Sequence, residues 1–504
     1  MNINYVKEID NSRVYDVAQK TPISLLNKIS DKYINTIYLK REDLQPIFSF
    51  KCRGAYNKIS HLSQAEREKG IIAASAGNHA QGVALSASKL NINAIIVMPK
   101  TTPSIKIESV KKFGVNVELY GDSFDEAYNY ALSVSEKENR VFIHPFDDPL
   151  VIAGQGTVAK EIVEQTDKIP DIFFIPVGGG GLISGMSVYL KKYYPNSKVI
   201  GVESEDAPTL YTSIKAGKPT SLDQVGLFVD GCAVKKIGQK TFKIAKEFVD
   251  DVVLVSIDET CAAIKDIYED TRVMSEPAGA LSVAGMKKYI MKNNIKDKII
   301  FAVNSGANLN FDRLRHVTER AEIGEGKEVL LSVKIPEVSG SFRKFCEVIG
   351  RRSISEFNYR YSNKNSADVF VGIKTDDLQE DKKSIFLDLK NQNYNYIDLT
   401  QDEVAKLHLR YMVGGKPSSI INEKLFRFEF PEKPGALLNF LNKMKKDWDI
   451  TLFHYRNHGS AFGRVLVGID IGQHNDKDLE NFLKELDYKY INESENKGYL
   501  SFLK

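Results

Sequence analysis

Ser49-Phe50-Lys51-Cys52-Arg53-Gly54-Ala55 is the stretch of this sequence that decides the fold, and its central feature is one lysine. Lys51 follows the apolar residues Ile47, Phe48 and Phe50, and this pattern predicts that it lies at the end of a strand. An apolar setting lowers the pKa of a lysine and leaves a free amine that can form an imine. An ordinary surface lysine fits the same local pattern, so the rest of the chain has to decide between the two interpretations.

The composition is that of a globular protein with more than one domain. The chain has 504 residues, of which 42% are hydrophobic and 27% are charged. A chain of this length is too long to fold around a single hydrophobic core, and it predicts about three domains. The net charge is only +3 and no long basic block occurs, so nucleic acid is not an expected partner.

The sequence predicts a soluble, cytoplasmic protein with reduced thiols. Residues 1–8 lack the basic-then-apolar order of a signal peptide, and no apolar run approaches the roughly 20 residues that span a bilayer, so no membrane contact is expected. The cysteines show no paired CxxC spacing, which argues against a zinc site and against a disulfide framework. They are Cys52, Cys232, Cys261 and Cys346.

The first three fifths of the chain alternate short apolar runs with amphipathic helical stretches. This alternation predicts an α/β fold with mainly parallel strands, whose ligands bind at the carboxyl ends of the strands. The predicted strands are 71–74, 94–98, 115–119, 141–143, 171–177, 198–202 and 299–303.

The pattern changes after Glu322, where an internal repeat begins. Residues 335–340 recur as 430–435, and residues 354–360 recur as 450–456. Two copies indicate a duplicated small domain rather than a solenoid. Each copy is predicted to contain a strand, a Pro-Glu-x-x-Gly turn, a helix and two further strands. The predicted domain limits are 1–322, 328–400 and 422–494.

A turn rich in small residues follows the predicted strand 71–74. The run Ser75-Ala76-Gly77-Asn78-His79 would open a helix, and the free N–H groups of a helix N-terminus suit a carboxylate. A plain turn in which Asn78 and His79 serve as helix caps is the alternative.

Four consecutive glycines follow the strand 171–177. Gly178 to Gly181, with Leu182 behind them, would direct several N–H groups at one anion, which indicates a phosphate cradle. A dinucleotide site with Glu203 as its ribose-binding acid is the rival, but Ser184 occupies the third glycine position of that motif. A lysine for a P-loop is also missing.

Ser305 follows the last predicted strand and completes a set of four features. An imine-forming lysine, an anion-binding turn, a phosphate cradle and a strand-end serine are the parts of a pyridoxal phosphate site. Together these motifs resemble those of the tryptophan-synthase-β-like (fold type II) pyridoxal enzymes. The repeated C-terminal modules resemble α+β ACT domains, and the whole order is similar to that of the biosynthetic threonine dehydratases, also called threonine deaminases.

The resemblance implies a role for each motif residue. Lys51 would hold pyridoxal 5'-phosphate as an imine and act as the base, Asn78 would bind the ring hydroxyl, and Ser305 would face the pyridine nitrogen. The implied phosphate ligands are the amides of Gly178, Gly179, Gly180, Gly181 and Leu182. The implied ligands of the substrate carboxylate are backbone groups of Ser75, Gly77, Asn78 and His79.

The resemblance also implies a reaction and its control. L-threonine would first lose water, and hydrolysis of the unsaturated product would give 2-oxobutanoate and ammonia. This is the first step of isoleucine biosynthesis, in a homotetramer inhibited by isoleucine and relieved by valine. Serine racemases of this fold carry a second serine where this chain has Ala76, so racemisation is not expected. The residues expected to line the effector site are Phe342, Tyr359, Leu437 and Leu441.

Several alternatives stay open at this stage. The effector residues could be module core, and the modules could serve dimerisation without a ligand. The chain could be a serine/threonine dehydratase with other regulation, or a non-catalytic amino-acid sensor on the same scaffold. One acid, Glu203, is too weak a signal to assign a cation, so no metal ligand is predicted.

Overall fold

The computed structural model divides the chain into two compact units, Met1–Val317 and Thr318–Lys504. The finer limits 1–322, 328–400 and 422–494 stay a prediction. The structure describes residues 3–336, 341–350, 352, 354–361, 366–375, 378–411, 422–431, 439–440, 443–444, 448–456, 462–473 and 476–503.

The first unit contains two sheets. The larger has six strands in the order β1-β2-β10-β7-β8-β9, and the smaller has four in the order β5-β4-β3-β6. All neighbours are parallel except β1 and β2. The strands are β1 Ile23–Leu25, β2 Thr36–Arg41, β3 Ile71–Ala74, β4 Ala94–Met98, β5 Asn116–Leu119, β6 Val141–Phe142, β7 Ile172–Pro176, β8 Lys198–Ser204, β9 Asp251–Val255 and β10 Ile299–Asn304.

Helices flank both sheets, as expected for crossover connections between parallel strands. They are α1 Tyr5–Asp10, α2 Asn27–Tyr33, α3 Lys51–Ser60, α4 Gln64–Lys69, α5 Asn78–Leu90, α6 Ser104–Lys111, α7 Phe124–Lys137, α8 Pro149–Gln165, α9 Gly181–Tyr193, α10 Thr209–Ala216, α11 Gln239–Phe248, α12 Ile257–Thr271 and α13 Pro277–Asn293. Helix α14, Leu314–Gly324, includes the last residues of the first unit and the first residues of the second.

The predicted α/β class and all seven predicted strands are confirmed, with ends that shift by a residue or two. Strands β1, β2 and β9 were missing from the prediction. The placement of Lys51 at the end of a strand was wrong: β2 ends at Arg41, and Lys51 is the first residue of α3. Ile47 and Phe48 belong instead to the loop before α3, in which Ile47 is buried and Phe48 has a φ of +55°.

A cluster of four buried charges fixes the start of α3. Arg53 is fully buried and donates hydrogen bonds to Glu42 at 2.7 and 2.9 Å and to Glu161 at 2.7 Å. Lys40, also fully buried, lies 2.7 Å from the other oxygen of Glu161. Two cations thus face two carboxylates, which is the condition for keeping charges in an interior. Because Lys51 stands two residues before Arg53, the cluster also fixes the backbone that carries Lys51.

The second unit contains two antiparallel four-stranded sheets, in the orders β12-β13-β11-β14 and β16-β17-β15-β18. The strands are β11 Glu328–Pro336, β12 Ile354–Tyr361, β13 Ser366–Lys374, β14 Asn395–Asp398, β15 Glu423–Pro431, β16 Asp449–Arg456, β17 Phe462–Asp470 and β18 Lys489–Asn492. The helices are α15 Ser341–Ile349, α16 Leu378–Asn391, α17 Glu403–Leu407, α18 Asp476–Leu486 and α19 Lys497–Phe502.

The repeat is therefore visible as two matching sheets. Each copy adds a helix and an edge strand, α16 with β14 and α18 with β18, which the prediction did not contain. These edge strands have four residues and are mostly exposed, so they lack the apolar pattern that marks a strand in the sequence. Within the part of the chain that the structure describes, no helix combines the length and apolar character of a membrane span.

We expect Glu161→Gln to destabilise the first unit by about 3 kcal/mol or more, because it leaves the buried Arg53 and Lys40 with one carboxylate between them. The measurement is the midpoint of urea unfolding followed by circular dichroism. Glu164→Gln, on the same helix α8, is the matched control. The ion pair of Glu164 with Lys20 is exposed, since 57% of the Lys20 side chain and 40% of the Glu164 side chain are accessible to solvent. The free energy of unfolding should therefore change by no more than about 1 kcal/mol. Equal effects would contradict the role given to the cluster.

Candidate active site

Three adjacent parallel strands deliver three of the predicted site segments to one edge of the large sheet. The strands β2, β10 and β7 lie side by side, and they lead into the loop before Lys51, into Ser305 and into the glycine run. Strand β3 of the smaller sheet leads into Ser75 to Asn78. The predicted site segments therefore follow the carboxyl ends of parallel strands, which is where ligands bind in α/β sheets.

Lys51 begins helix α3, where the positive end of the helix disfavours an ammonium ion. Its Nζ donates a hydrogen bond to the carbonyl oxygen of Pro145 at 3.3 Å. Burial lowers the pKa of Lys51 to about 8, while Cys232 and Glu276 act in the opposite direction. A substantial share of this amine is therefore neutral near physiological pH, as the sequence predicted for an imine-forming lysine.

The loop before Lys51 pairs with the segment after β10. Ser49 bridges to Gly306, the N–H of Phe50 donates to the carbonyl of Ser305 at 3.2 Å, and the N–H of Ala307 donates to the carbonyl of Phe48 at 2.8 Å. Lys51 and Ser305 are thereby brought together although they lie far apart in the sequence. Ser305 is almost fully buried, and its hydroxyl donates to the carbonyl of Ala278 at 3.3 Å.

The glycine run admits no side chain. A Cβ on Gly179 would lie 2.2 Å from the ring of Phe146, and one on Gly178 would lie 2.9 Å from the Cα of Cys232. Gly180 has a φ of +89° and precedes the first turn of α9, a helix of 13 residues. The first N–H groups of α9 lack acceptors inside the helix, and they point outward at the positive end of α9. These residues therefore form a narrow cradle that suits a phosphate group.

Asn78 is the first residue of α5, and its side chain does not cap the helix. Its Nδ2 donates to Glu276 Oε1 at 2.6 Å, and its Oδ1 accepts from Asn308 Nδ2 at 2.7 Å. The alternative of a capping Asn78 is therefore wrong. In front of the turn there is space, because a Cβ on Gly77 would meet no atom within 4 Å.

The His79 side chain has no role as a cation. Its Nε2 lies 2.9 Å from the carbonyl oxygen of Ile143, which can only accept, so this nitrogen carries the hydrogen. Burial, followed by the charge of Lys51, lowers the pKa of His79 to about 3. The imidazole is neutral, and any contact of this residue with a substrate carboxylate has to come from its backbone.

Glu203 lies near the end of β8, but its carboxylate is engaged by the start of helix α10. It is fully buried and accepts hydrogen bonds from Thr209, Leu210 and Tyr211 at 2.8 to 2.9 Å, so it caps helix α10. Burial raises its pKa to about 7. The dinucleotide interpretation is therefore not supported. Among the described residues no group of three His, Cys, Asp or Glu side chains could hold a metal ion.

Glu276 is a site residue that the sequence analysis missed. It stands directly before Pro277 at the start of α13, and burial raises its pKa to about 7. The signal available in the sequence was an acid before Pro-Ala-Gly-Ala at a helix start, which is typical of an ordinary N-terminus. Pro145 and Phe146 were also missed, although they follow strand β6 and so obey the strand-end rule.

The residues predicted to line the effector site are not among those whose side chains the structure describes. The side chains of Phe342 and Tyr359, and the residues Leu437 and Leu441, lie outside the part of the chain that the structure describes.

The residues of the site suit pyridoxal phosphate. A cradle of glycines that suits an anion, an amine with a lowered pKa and a buried hydroxyl lie at one edge of the sheet. In agreement, residues 14–306 match the family of pyridoxal-phosphate dependent enzymes. Residues 319–409 and 414–503 each match the C-terminal regulatory domain of threonine dehydratase.

Relatives resemble the chain over its whole length. It is 51% identical over 503 residues to a biosynthetic L-threonine dehydratase of Pasteurella multocida, covering 99% of this chain and 97% of that protein. It is 48% identical over 499 residues to the biosynthetic enzyme of Escherichia coli, again with 99% and 97% covered.

Solved structures resemble about three fifths of the chain. The processed form of threonine deaminase isoform 2 from Solanum lycopersicum is 49% identical, with a TM-score of 0.62, over 63% of this chain and 92% of that one. Maize serine racemase is 31% identical, with a TM-score of 0.58, over 63% and 96%. The similarity of both units, together with the cradle and the lysine, shows that the chain belongs to the biosynthetic threonine dehydratases, within the pyridoxal-phosphate dependent enzymes.

Proposed function

We propose that this protein converts L-threonine into 2-oxobutanoate and ammonia, the first committed step towards isoleucine. The observation that carries the proposal is the buried amine of Lys51, with its lowered pKa, beside the glycine cradle, in a chain whose relatives are threonine dehydratases throughout their length. The chemistry needs a base at the substrate Cα, a place for the substrate carboxylate and a sink for electrons.

Each part of the cofactor has a residue that suits it. When bound, pyridoxal phosphate supplies the electron sink for the pair left at Cα. Lys51 would hold it as an imine, Asn78 would bind its ring hydroxyl, and Ser305 would face its pyridine nitrogen. The phosphate would be held by the backbone amides of Gly178, Gly179, Gly180, Gly181 and Leu182.

Lys51 then acts as the general base. An amine with a pKa of about 8 matches the task of taking a proton near neutral pH. Its position at the first residue of α3 and its hydrogen bond to Pro145 keep Nζ at one place in the site. The substrate Cα proton would be transferred to this nitrogen, and the β-hydroxyl would take up one proton and leave as water. Addition of water to the unsaturated product would then release ammonia and leave 2-oxobutanoate.

The start of α5 would bind the substrate carboxylate. The backbone N–H groups of Asn78 and His79 lie at the positive end of a helix, and the space at Gly77 admits a ligand. The N–H of Ser75 donates to the carbonyl of Val97 and the N–H of Gly77 donates to the Ser75 hydroxyl, so Ser75 and Gly77 would border the carboxylate and leave the main contacts to the helix start. Ala76 offers no proton to the face opposite Lys51. Elimination is therefore favoured over racemisation, although serine racemases share the fold.

The second unit would carry the regulation. We assign residues 328–400 and 422–494 to two ACT-like domains, and residues 1–322 to catalysis, in a cytoplasmic homotetramer. Isoleucine would inhibit the enzyme and valine would relieve that inhibition. The effector site would be lined by Phe342, Tyr359, Leu437 and Leu441. Isoleucine has to bind the less active state more tightly, because equal affinity for both states shifts nothing.

Lys51→Ala should abolish 2-oxobutanoate formation from L-threonine while isoleucine binding is retained, because only the base and the imine are lost. The assay measures the keto acid in the full chain with added cofactor, and it compares L-threonine with L-serine. Lys58→Ala, on the same helix, is the control and should keep its activity. A colourless wild-type protein, or activity in Lys51→Ala, would contradict the proposal.

Gly180→Ala should weaken binding of pyridoxal phosphate by about tenfold or more, because the new Cβ would lie 2.9 Å from Thr241 and force the cradle open. Binding of pyridoxal, which lacks the phosphate, should change much less. Gly114→Ala is the matched control: its φ of +78° carries a similar backbone cost of about 1 kcal/mol, with no atom within 4 Å. Equal losses for both ligands would argue against a phosphate cradle.

Tyr359→Ala should raise the isoleucine concentration for half inhibition by about tenfold, the loss expected when an aromatic contact with the bound effector is removed. The activity without isoleucine should not change. The measurement is the rate at subsaturating L-threonine with isoleucine, and with isoleucine plus valine. Leu387→Ala is the control, because this leucine is 59% exposed on α16. Unchanged inhibition in Tyr359→Ala would remove this residue from the effector site.

A further inference from the structure

Three side chains from distant parts of the first unit form a hydrogen-bonded relay. Asn308 Nδ2 donates to the carbonyl oxygen of Ile47 at 2.8 Å and to Asn78 Oδ1 at 2.7 Å. Asn78 Nδ2 in turn donates to Glu276 Oε1 at 2.6 Å. The residues come from the loop before α3, the segment after β10 and the starts of α5 and α13, so the relay connects the main segments of the site.

The direction of the relay is fixed at both ends. The carbonyl of Ile47 can only accept, so the atom of Asn308 that faces it is the nitrogen. Both hydrogens of that nitrogen are then used, and the Asn78 atom that receives the second one is the oxygen. The Asn78 nitrogen therefore faces Glu276, which accepts. One N–H of Asn78 is left over, while its oxygen is held towards Asn308.

We propose that Asn308 and Glu276 are positioning residues that make Asn78 a hydrogen-bond donor, and not an acceptor, to the oxygen on the pyridoxal ring. This inference rests on the proposed function, in which Asn78 binds that oxygen. Without the relay an asparagine could turn its amide and offer either atom. With the relay the ring oxygen has to accept, which favours its ionised form.

The surroundings of Glu276 support the assignment. Burial, followed by the charge of Asp230, raises the pKa of Glu276 to about 7, and the hydrogen bond from Asn78 opposes the shift. A neutral carboxyl still accepts through its carbonyl oxygen, so the direction holds on both sides of that pKa. A Cβ on Gly306 would lie 2.5 Å from Glu276 Oε1, so the backbone closes over the carboxyl and holds it in place.

The test compares two cofactors on the same full-length protein after removal of the bound cofactor. One is pyridoxal phosphate, and the other is its 3-deoxy analogue, in which hydrogen replaces the ring hydroxyl. Asn308→Asp turns the donor into an acceptor, so Asn78 has to rotate or lose its partner. We expect the preference of the wild type for pyridoxal phosphate over the analogue to fall by about tenfold or more in this variant.

A spectroscopic measurement accompanies the binding assay. In Asn308→Asp the long-wavelength, yellow absorption band of the bound cofactor should lose intensity to the near-ultraviolet band, because the ring oxygen regains its proton. Glu276→Gln keeps an accepting oxygen and should keep most of the preference. Asn308→Ala, which removes the donor without adding an acceptor, replaces Asn308→Asp if that protein does not fold, and it should also lower the preference.

Asn310→Asp is the matched control. It makes the same amide-to-acid change two residues away, and its oxygen still caps the short helical turn at Phe311–Arg313. It should leave the preference and the spectrum unchanged. Equal weakening of both cofactors in the Asn308 variants would show a purely structural role and overturn the proposal, as would no change at all. A wild type that binds cofactor in this way but forms no 2-oxobutanoate would contradict the proposed function and leave the relay standing.

Discussion

Arg53 is a buried cation between two carboxylates, and the position of Lys51 depends on it. Its guanidinium ties α3 to Glu42, in the turn after β2, and to Glu161, on α8. A charge in an interior tolerates little displacement, because each lost hydrogen bond exposes an uncompensated ion. The first turn of α3, which carries Lys51, is therefore held more rigidly than apolar packing alone would hold it.

Parallel strands then bring the chemistry to one edge. The order β2-β10-β7 places the loop before Lys51, Ser305 and the glycine run next to each other, and β3 adds the turn at Asn78. Each segment comes directly after a strand or within a short loop of it. The path of the backbone thus determines which segments form the site. The relay from Asn308 to Glu276 then sets the orientation of the Asn78 side chain within it.

The motifs with local chemistry could be predicted from the sequence. Four glycines after an apolar strand and a small-residue turn before a helix are typical of anion-binding turns, and both lie where expected. Glu276 could not be found in this way, because its partner Asn78 lies 198 residues away and nothing near it in the sequence indicates that contact. Lys51 was assigned to a strand end because the apolar residues Ile47 and Phe48, which lie in the loop before α3, resemble the residues of a strand.

The sequence by itself determined the fold class, the duplicated C-terminal modules and the identity of the cofactor, because periodicity and short motifs express constraints between neighbouring residues. The tertiary structure decided which groups share the site. It showed that His79 is neutral, that Glu203 caps a helix and that Glu276 faces Asn78. Burial and hydrogen-bond direction depend on atoms that are distant along the chain, and only the folded arrangement defines them.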